Sequence, residues 1–158
     1  MKDFLSMDQD CNVWVLLSQA AHTALRAREK ELDQYGVSAI EAAVLFIIQA
    51  IGDRATPAEI SRWLLRESHS VSGLLNRMER KGLVSRVKDL ERKNLVRVAL
   101  TEKGKAVYRE SRERKSIRNI LSPLSQEERE QLRLCLERIR NKALKELGLH
   151  HQPPFPKL

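Results

Sequence analysis

Hydrophobic positions along the chain change their period from segment to segment, and the changes divide it into elements. Val13, Leu16, Leu17, Ala20, Ala21, Ala24 and Leu25 recur at helical spacing and predict a long first helix over about Asp10 to Gln34. Asp8 or Asp10 can cap its start, and Tyr35-Gly36 ends it. Three shorter helices follow. "SAIE" sets Ser38 as cap and Glu41 as its reciprocal partner, ahead of Ala42, Leu45, Phe46 and Ile48. "TPAE" does the same with Thr56, Pro57 and Glu59, and the apolar side of that helix is Ile60, Leu64 and Trp63. The third runs from about Ser68 to Lys81 and stops at Gly82, with Val71, Leu74, Leu75 and Met78 on one side.

After Gly82 the period falls to two. "LVSRVK" and "LVRVAL" read as strands, and the polar "DLERKN" between them is a hairpin tip. Two strands alone are marginal in water, so they must lean on the helices. Thr101 opens a further helix, and "SQEE" at Ser125 caps a last one carrying Leu132, Leu136, Ile139, Ala143 and Leu147. Residues 149–158, with three prolines and no helical pattern, are expected to be disordered.

The predicted fold is mainly α with a two-stranded β wing, a winged helix-turn-helix with dimerisation helices at both ends. The corresponding domains are 1–37, 38–101 and 102–148. The apolar stripes of the first and last helices lie outside the winged core and need a partner surface.

Charge then says what the polar side of the third short helix is for. The 158 residues hold 29 Lys and Arg against 21 Asp and Glu, a net charge of +8. From Asn76 to Arg97 eight basic residues face three acidic ones, so the excess is concentrated there. A polyanionic partner, nucleic acid first, fits that distribution. On the wheel His69, Gly73, Asn76 and Arg80 lie opposite the apolar side, flanked by Ser72 and Arg77. Small residues permit close approach to base edges, and asparagine and arginine can read them. Ser68 and Ser70 stand where a helix N-terminus favours phosphate. Double-stranded DNA is the expected partner. The alternative is a protein-interaction module docking an acidic partner through the same basic face.

Other chemistries find little support. No Gly-rich phosphate loop, metal-spaced cluster or catalytic motif is present, so neither enzyme activity nor a cofactor or metal is expected. The acidic N-terminus has no signal-peptide pattern, and the longest apolar run, Ala42 to Ile48, is too short for a membrane. Two cysteines, Cys11 and Cys135, form no disulfide framework, which suits a cytoplasmic protein. Cys135 is expected to be packed on the inner side of the last helix. His22 lies eleven residues from Cys11. That is about 16 Å along a helix, too far for a nucleophile–base pair.

"SVSGLLNRMERKGLVSR" followed by "VRVALTEKG" resembles the recognition helix, wing and following helix of the MarR family of bacterial transcriptional regulators. "SAIEAAVLFII" and "PAEISRWLL" resemble the two preceding helices. The likeness spans about Asn12 to Leu147. It implies a homodimer that binds a pseudo-palindromic operator, commonly as a repressor, and releases it on meeting a small-molecule effector or an oxidant. By position, Ser68, Ser70, Ser72, Gly73, Asn76 and Arg77 are then the groove and phosphate contacts, with His69 beside them. Arg86, Lys88, Arg92 and Lys93 are the wing contacts. Where the family carries Asp-x-Arg on the wing, this chain has Arg92-Lys93-Asn94; a shift of one residue gives Glu91-Arg92-Lys93. Trp14, His22, Phe46 and Trp63 are the candidates for an effector crevice, and Cys11 is the candidate oxidant sensor.

Overall fold

The computed structural model describes residues 8–88, 94–149 and 153. Seven α-helices and one hairpin are found among them: α1 (Gln9–Leu32), α2 (Ala39–Ile51), α3 (Pro57–Leu64), α4 (Ser68–Arg80), β1 (Val84–Lys88), β2 (Val96–Leu100), α5 (Glu102–Ser111), α6 (Lys115–Leu121) and α7 (Gln126–Glu146).

The caps anticipated from sequence form, except that the Glu59 side chain pairs with Arg62 at 3.4 Å instead of reaching back to Thr56. Asp8 accepts from the Cys11 backbone N–H and starts α1. Ser38 with Glu41, and Ser125 with Glu128, make reciprocal capping boxes at α2 and α7. Thr56 accepts from the Glu59 N–H, and Pro57 fills the first turn of α3, where its missing donor costs nothing. Gly82, at φ +71°, ends α4 and lets the Leu83 N–H return to the Met78 carbonyl at 2.9 Å.

The core lies between α2, α3, α4 and the hairpin, closed by the end of α1 and by α5. Leu32, Leu45, Ile60, Val71, Leu75 and Met78 are fully enclosed. Each large aliphatic buried there contributes about 1.5–3 kcal/mol. The hairpin is antiparallel, with Val84 opposite Leu100 and Arg86 opposite Val98. It does not stand alone. The Val98 N–H donates to the Ala55 carbonyl at 2.7 Å, and Arg97 donates to the Asp53 carbonyl at 2.8 Å, so the segment before α3 braces its inner edge. Where α5 begins, the chain approaches very closely. A Cβ on Gly104 would lie 2.0 Å from the Leu83 carbonyl oxygen, so only glycine fits.

Two expectations require correction. The helix after Thr101 is not continuous: it breaks at Arg112–Arg114, with Arg114 in a left-handed conformation (φ 52°), into α5 and α6. The cause is tertiary. Glu31 of α1 accepts from the backbone N–H groups of Lys115 (2.7 Å) and Ser116 (3.2 Å) and from the Ser116 hydroxyl, which caps the new helix from outside. Arg28 pairs with Glu31 at 2.6 Å and donates to the Ser111 carbonyl at 2.8 Å, fixing both sides of the break. Second, Cys135 is exposed rather than packed, because within one chain Leu144 is the only buried residue of α7. Of the tail expected to be disordered, 149–158, only Leu149 and the buried Pro153 are described; the rest lies outside the described residues.

The apolar stripes of the end helices face outward. Trp14 and Leu16 on α1 are 67% and 65% exposed, and Leu132, Leu136 and Ile139 on α7, with Leu147 just after it, are exposed as well. No single helix among the described residues is long and apolar enough to cross a membrane.

Candidate nucleic-acid interface

The α3–turn–α4 unit holds α4 by one side and leaves the other free. Val71, Leu74, Leu75 and Met78 are all buried, as their spacing predicts. Ser68, His69, Ser70, Ser72, Asn76 and Arg77 are exposed, and Gly73 is half-buried between them. The bend into α4 is made by Leu65 in a left-handed conformation (φ 53°) and is held by the Ser61 hydroxyl, which donates to the Arg66 carbonyl at 2.5 Å.

The start of α4 differs from that of every other α-helix described. α1, α2, α3, α5 and α7 each begin with a side-chain oxygen accepting a backbone N–H, and α6 is capped by Glu31. At α4 the cap position is Glu67, whose side chain makes no such bond. The first-turn N–H groups of α4 therefore point outward without a protein acceptor among the described residues. With the helix dipole behind them and two hydroxyls and an imidazole at Ser68, Ser70 and His69, they suit a phosphate oxygen.

The basic residues of this region separate into two groups. Lys81 reaches back to the buried carboxylate of Glu41 at 2.8 Å and to the Gly36 carbonyl at 3.2 Å. Arg86 donates to Glu79 and Asn76. These two are committed within the protein. Arg77, Arg80 and Lys88 are exposed and make no ion pair among the described residues, which leaves their charge available to phosphate. Arg77 lies along the helix, its guanidinium 4.0 Å from where a Gly73 Cβ would stand. Arg92 and Lys93 lie outside the described residues.

A cavity of about 320 Å³ opens between α1, α2, α5 and α6, at the α5–α6 break. Phe46, Tyr108 and Ile117 form its apolar wall, and Arg28, Arg112 and Arg114 supply its charge. Arg114 stands over the Phe46 ring, 5.5 Å from its centre, a cation–π arrangement. Of the four residues suggested from sequence for a crevice, only Phe46 lines it. Trp63 packs against the core, while Trp14 and His22 are exposed on α1. The arginines and Tyr108 were missed because they converge from distant parts of the chain. Cys11 is half-buried in the first turn of α1.

An uncapped helix presented by a helix-turn-helix, beside a basic hairpin, defines a winged-helix protein of the DNA-binding class. The MarR family profile matches residues 35–89, the segment from the end of α1 to the end of β1. Solved structures extend the likeness. The organohalide-sensing transcriptional regulator RdhR, bound to 2,4-dichlorophenol, superposes with a TM-score of 0.87 at 29% identity, over 98% of this chain and 94% of that one. MepR of S. aureus in complex with DNA gives 0.74 at 25% identity, over 81% and 96%. A mutant MarR of E. coli complexed with operator DNA shares the fold, with a TM-score of 0.75 at 21% identity over 81% and 93%. No curated protein matches the sequence. Residues 35–89 thus match the MarR family of transcriptional regulators, and the chain as a whole is similar in fold to solved transcriptional regulators.

Proposed function

We propose that two copies of the chain pair through α1, α6 and α7 and bind a pseudo-palindromic double-stranded operator. Each α4 enters a major groove with Ser72, Gly73 and Asn76 towards the bases. Ser68, His69, Ser70 and Arg77 meet the flanking phosphates, and Lys88, Arg92 and Lys93 carry the wing to the adjacent backbone. The carrying observation is the α4 surface: four buried residues hold one side, while Ser68, His69, Ser70, Ser72 and Arg77 stand exposed on the other and its first turn has no side-chain cap. An acidic protein partner would need the charge but not that uncapped start. The DNA complexes of MepR and MarR support the same reading by likeness of fold.

Pairing is supported by the outward stripes of α1 and α7, which a single chain leaves in water. Repression with release by a small effector is supported by the cavity at the α5–α6 break, which touches both the pairing helices and α2 of the reading unit. Its aromatic wall and arginine rim suit a compact aromatic compound, and RdhR is a phenol-bound relative. The cavity favours ligand release over oxidation of Cys11, which lies in the first turn of α1.

Selection from a randomised duplex pool tests the proposal. The expected result is an enriched pseudo-palindrome with half-site centres about 34–36 Å apart. Enrichment of no sequence, with retention that vanishes uniformly as salt rises, would overturn it.

A further inference from the structure

Resting on the proposed DNA reading, we infer that Arg86 is not a phosphate contact but a positioning residue. It fixes the polarity with which Asn76 meets its base. Arg86 stands on β1, and Asn76 and Glu79 stand on α4. One terminal nitrogen of the Arg86 guanidinium donates to Asn76 Oδ1 at 2.7 Å and to Glu79 Oε2 at 2.8 Å. The Arg86 backbone N–H donates to the other oxygen of Glu79 at 3.1 Å. The wing is thereby pinned to the recognition helix by a charged side chain that is only 27% exposed.

The consequence falls on the amide. Guanidinium groups only donate, so the group facing Arg86 must be the Asn76 oxygen; the flip of the amide is decided by chemistry. With Oδ1 turned to the wing, the Asn76 Nδ2 group is left without a protein acceptor among the described residues. The familiar asparagine–adenine pair needs both edges of the amide turned to the base, oxygen to N6 and nitrogen to N7. Here the oxygen is held by a charged donor, which binds it more strongly than a neutral amine. One lone pair of that oxygen is taken and its edge is turned to the wing, so the edge Asn76 turns to the base is its donor. It selects a base whose major-groove edge offers only acceptors at that point, guanine through O6 and N7 or thymine through O4, over adenine. Glu79 acts through Arg86: its carboxylate holds the guanidinium against α4 and neutralises it, which withdraws Arg86 from phosphate.

The pool selection described above, run on full-length protein and its variants, tests this with two readouts. Wild type is expected to enrich guanine or thymine at the step facing Asn76. Arg86→Met frees the amide to rotate, so adenine should gain about tenfold at that one step. The slope of log affinity against log salt should stay unchanged. Lys88→Met should do the reverse, lowering the slope by about one and leaving base preference intact. If Arg86→Met fails to fold by circular dichroism, Asn76→Asp carries the test. It keeps an oxygen for Arg86 but removes the donor, so the guanine or thymine preference should be lost and cytosine, a donor, should gain. Loss of about one in salt slope on Arg86→Met with an unchanged consensus would overturn the inference, because Arg86 would then be a phosphate contact. So would a wild-type preference for adenine, or an Asn76→Asp consensus like that of wild type. A wild-type protein that enriches nothing brings down the DNA reading and this inference with it, whereas the other failures leave the DNA reading standing.

Discussion

The winged core and the end helices are both built from amphipathic segments, yet they treat their apolar faces in opposite ways. In the core, Leu45, Ile60, Leu75 and Met78 are wholly enclosed by one chain. On α1 and α7, Trp14, Leu16, Leu136 and Ile139 are left in water, and Leu147 is 72% exposed. Stripes this long on long helices are costly to leave uncovered. The difference teaches that hydrophobic periodicity specifies a helix and its sticky side but not who covers that side. The reading unit closes on itself; the end helices do not, and the second copy proposed above would cover them.

Substitutions of similar size should therefore have different signatures in the two regions. Leu75→Ala in the core should lower stability by about 2–5 kcal/mol. The loss should be the same at every protein concentration, as followed by denaturant unfolding. Gly104→Ala belongs to this class, since its Cβ would strike the Leu83 carbonyl; a loss of about 3 kcal/mol is expected. Leu136→Glu on α7 should instead leave the secondary structure of the chain intact and abolish pairing in sedimentation. Operator affinity should then fall about a hundredfold or more, because two linked reading units become two separate ones. A Leu136→Glu protein that sediments like wild type would erase the distinction.

The junction between the regions should show an intermediate effect. Burial alone would raise the pKa of Glu31, but the donors Ser116, Arg28 and Lys115 outweigh it and lower the value from 4.5 to about 2. A carboxylate depressed in this way stabilises the fold above its ordinary pKa, and the contribution is lost as pH falls through about 2. Glu31→Gln should cost about 1–2 kcal/mol at neutral pH, allowing for solvent screening. It should also flatten the acid limb of the stability profile between the ordinary value of 4.5 and about 2. The same substitution should loosen the α5–α6 break, read as faster amide exchange at Lys115 and Ser116. The smallest effect is expected at Lys88, where removal of one exposed charge should reduce the salt slope by about one.

What could be read from the sequence was what neighbours in the chain decide. Ser38, Thr56 and Ser125 announce helix starts because a cap acts within three residues. The buried side of α4 follows from spacing alone. The break at Arg112–Arg114 was hidden, because its cause, Glu31, lies 84 residues before Lys115. The arginine rim of the cavity and the bond from Arg86 to Asn76 were hidden for the same reason: each depends on elements brought together only by the fold. Arg86 was counted among the basic wing residues, and only its contact with Glu79 shows that its charge is already engaged. The expectation for Cys135 failed because a stripe on a wheel shows an inner side without showing that anything is packed against it.

The central claim, that the outer side of α4 reads bases while the exposed charges around it hold the backbone, is tested most directly by one binding titration. Wild type, Ser72→Ala and Asn76→Ala would be titrated against the selected operator and a scrambled duplex over a range of salt. The account predicts that wild type prefers the operator by about a thousandfold or more. Both variants should lose roughly tenfold or more of that ratio while keeping the same salt slope. A wild-type protein that binds the two duplexes equally, or variants that retain the full ratio, would contradict it.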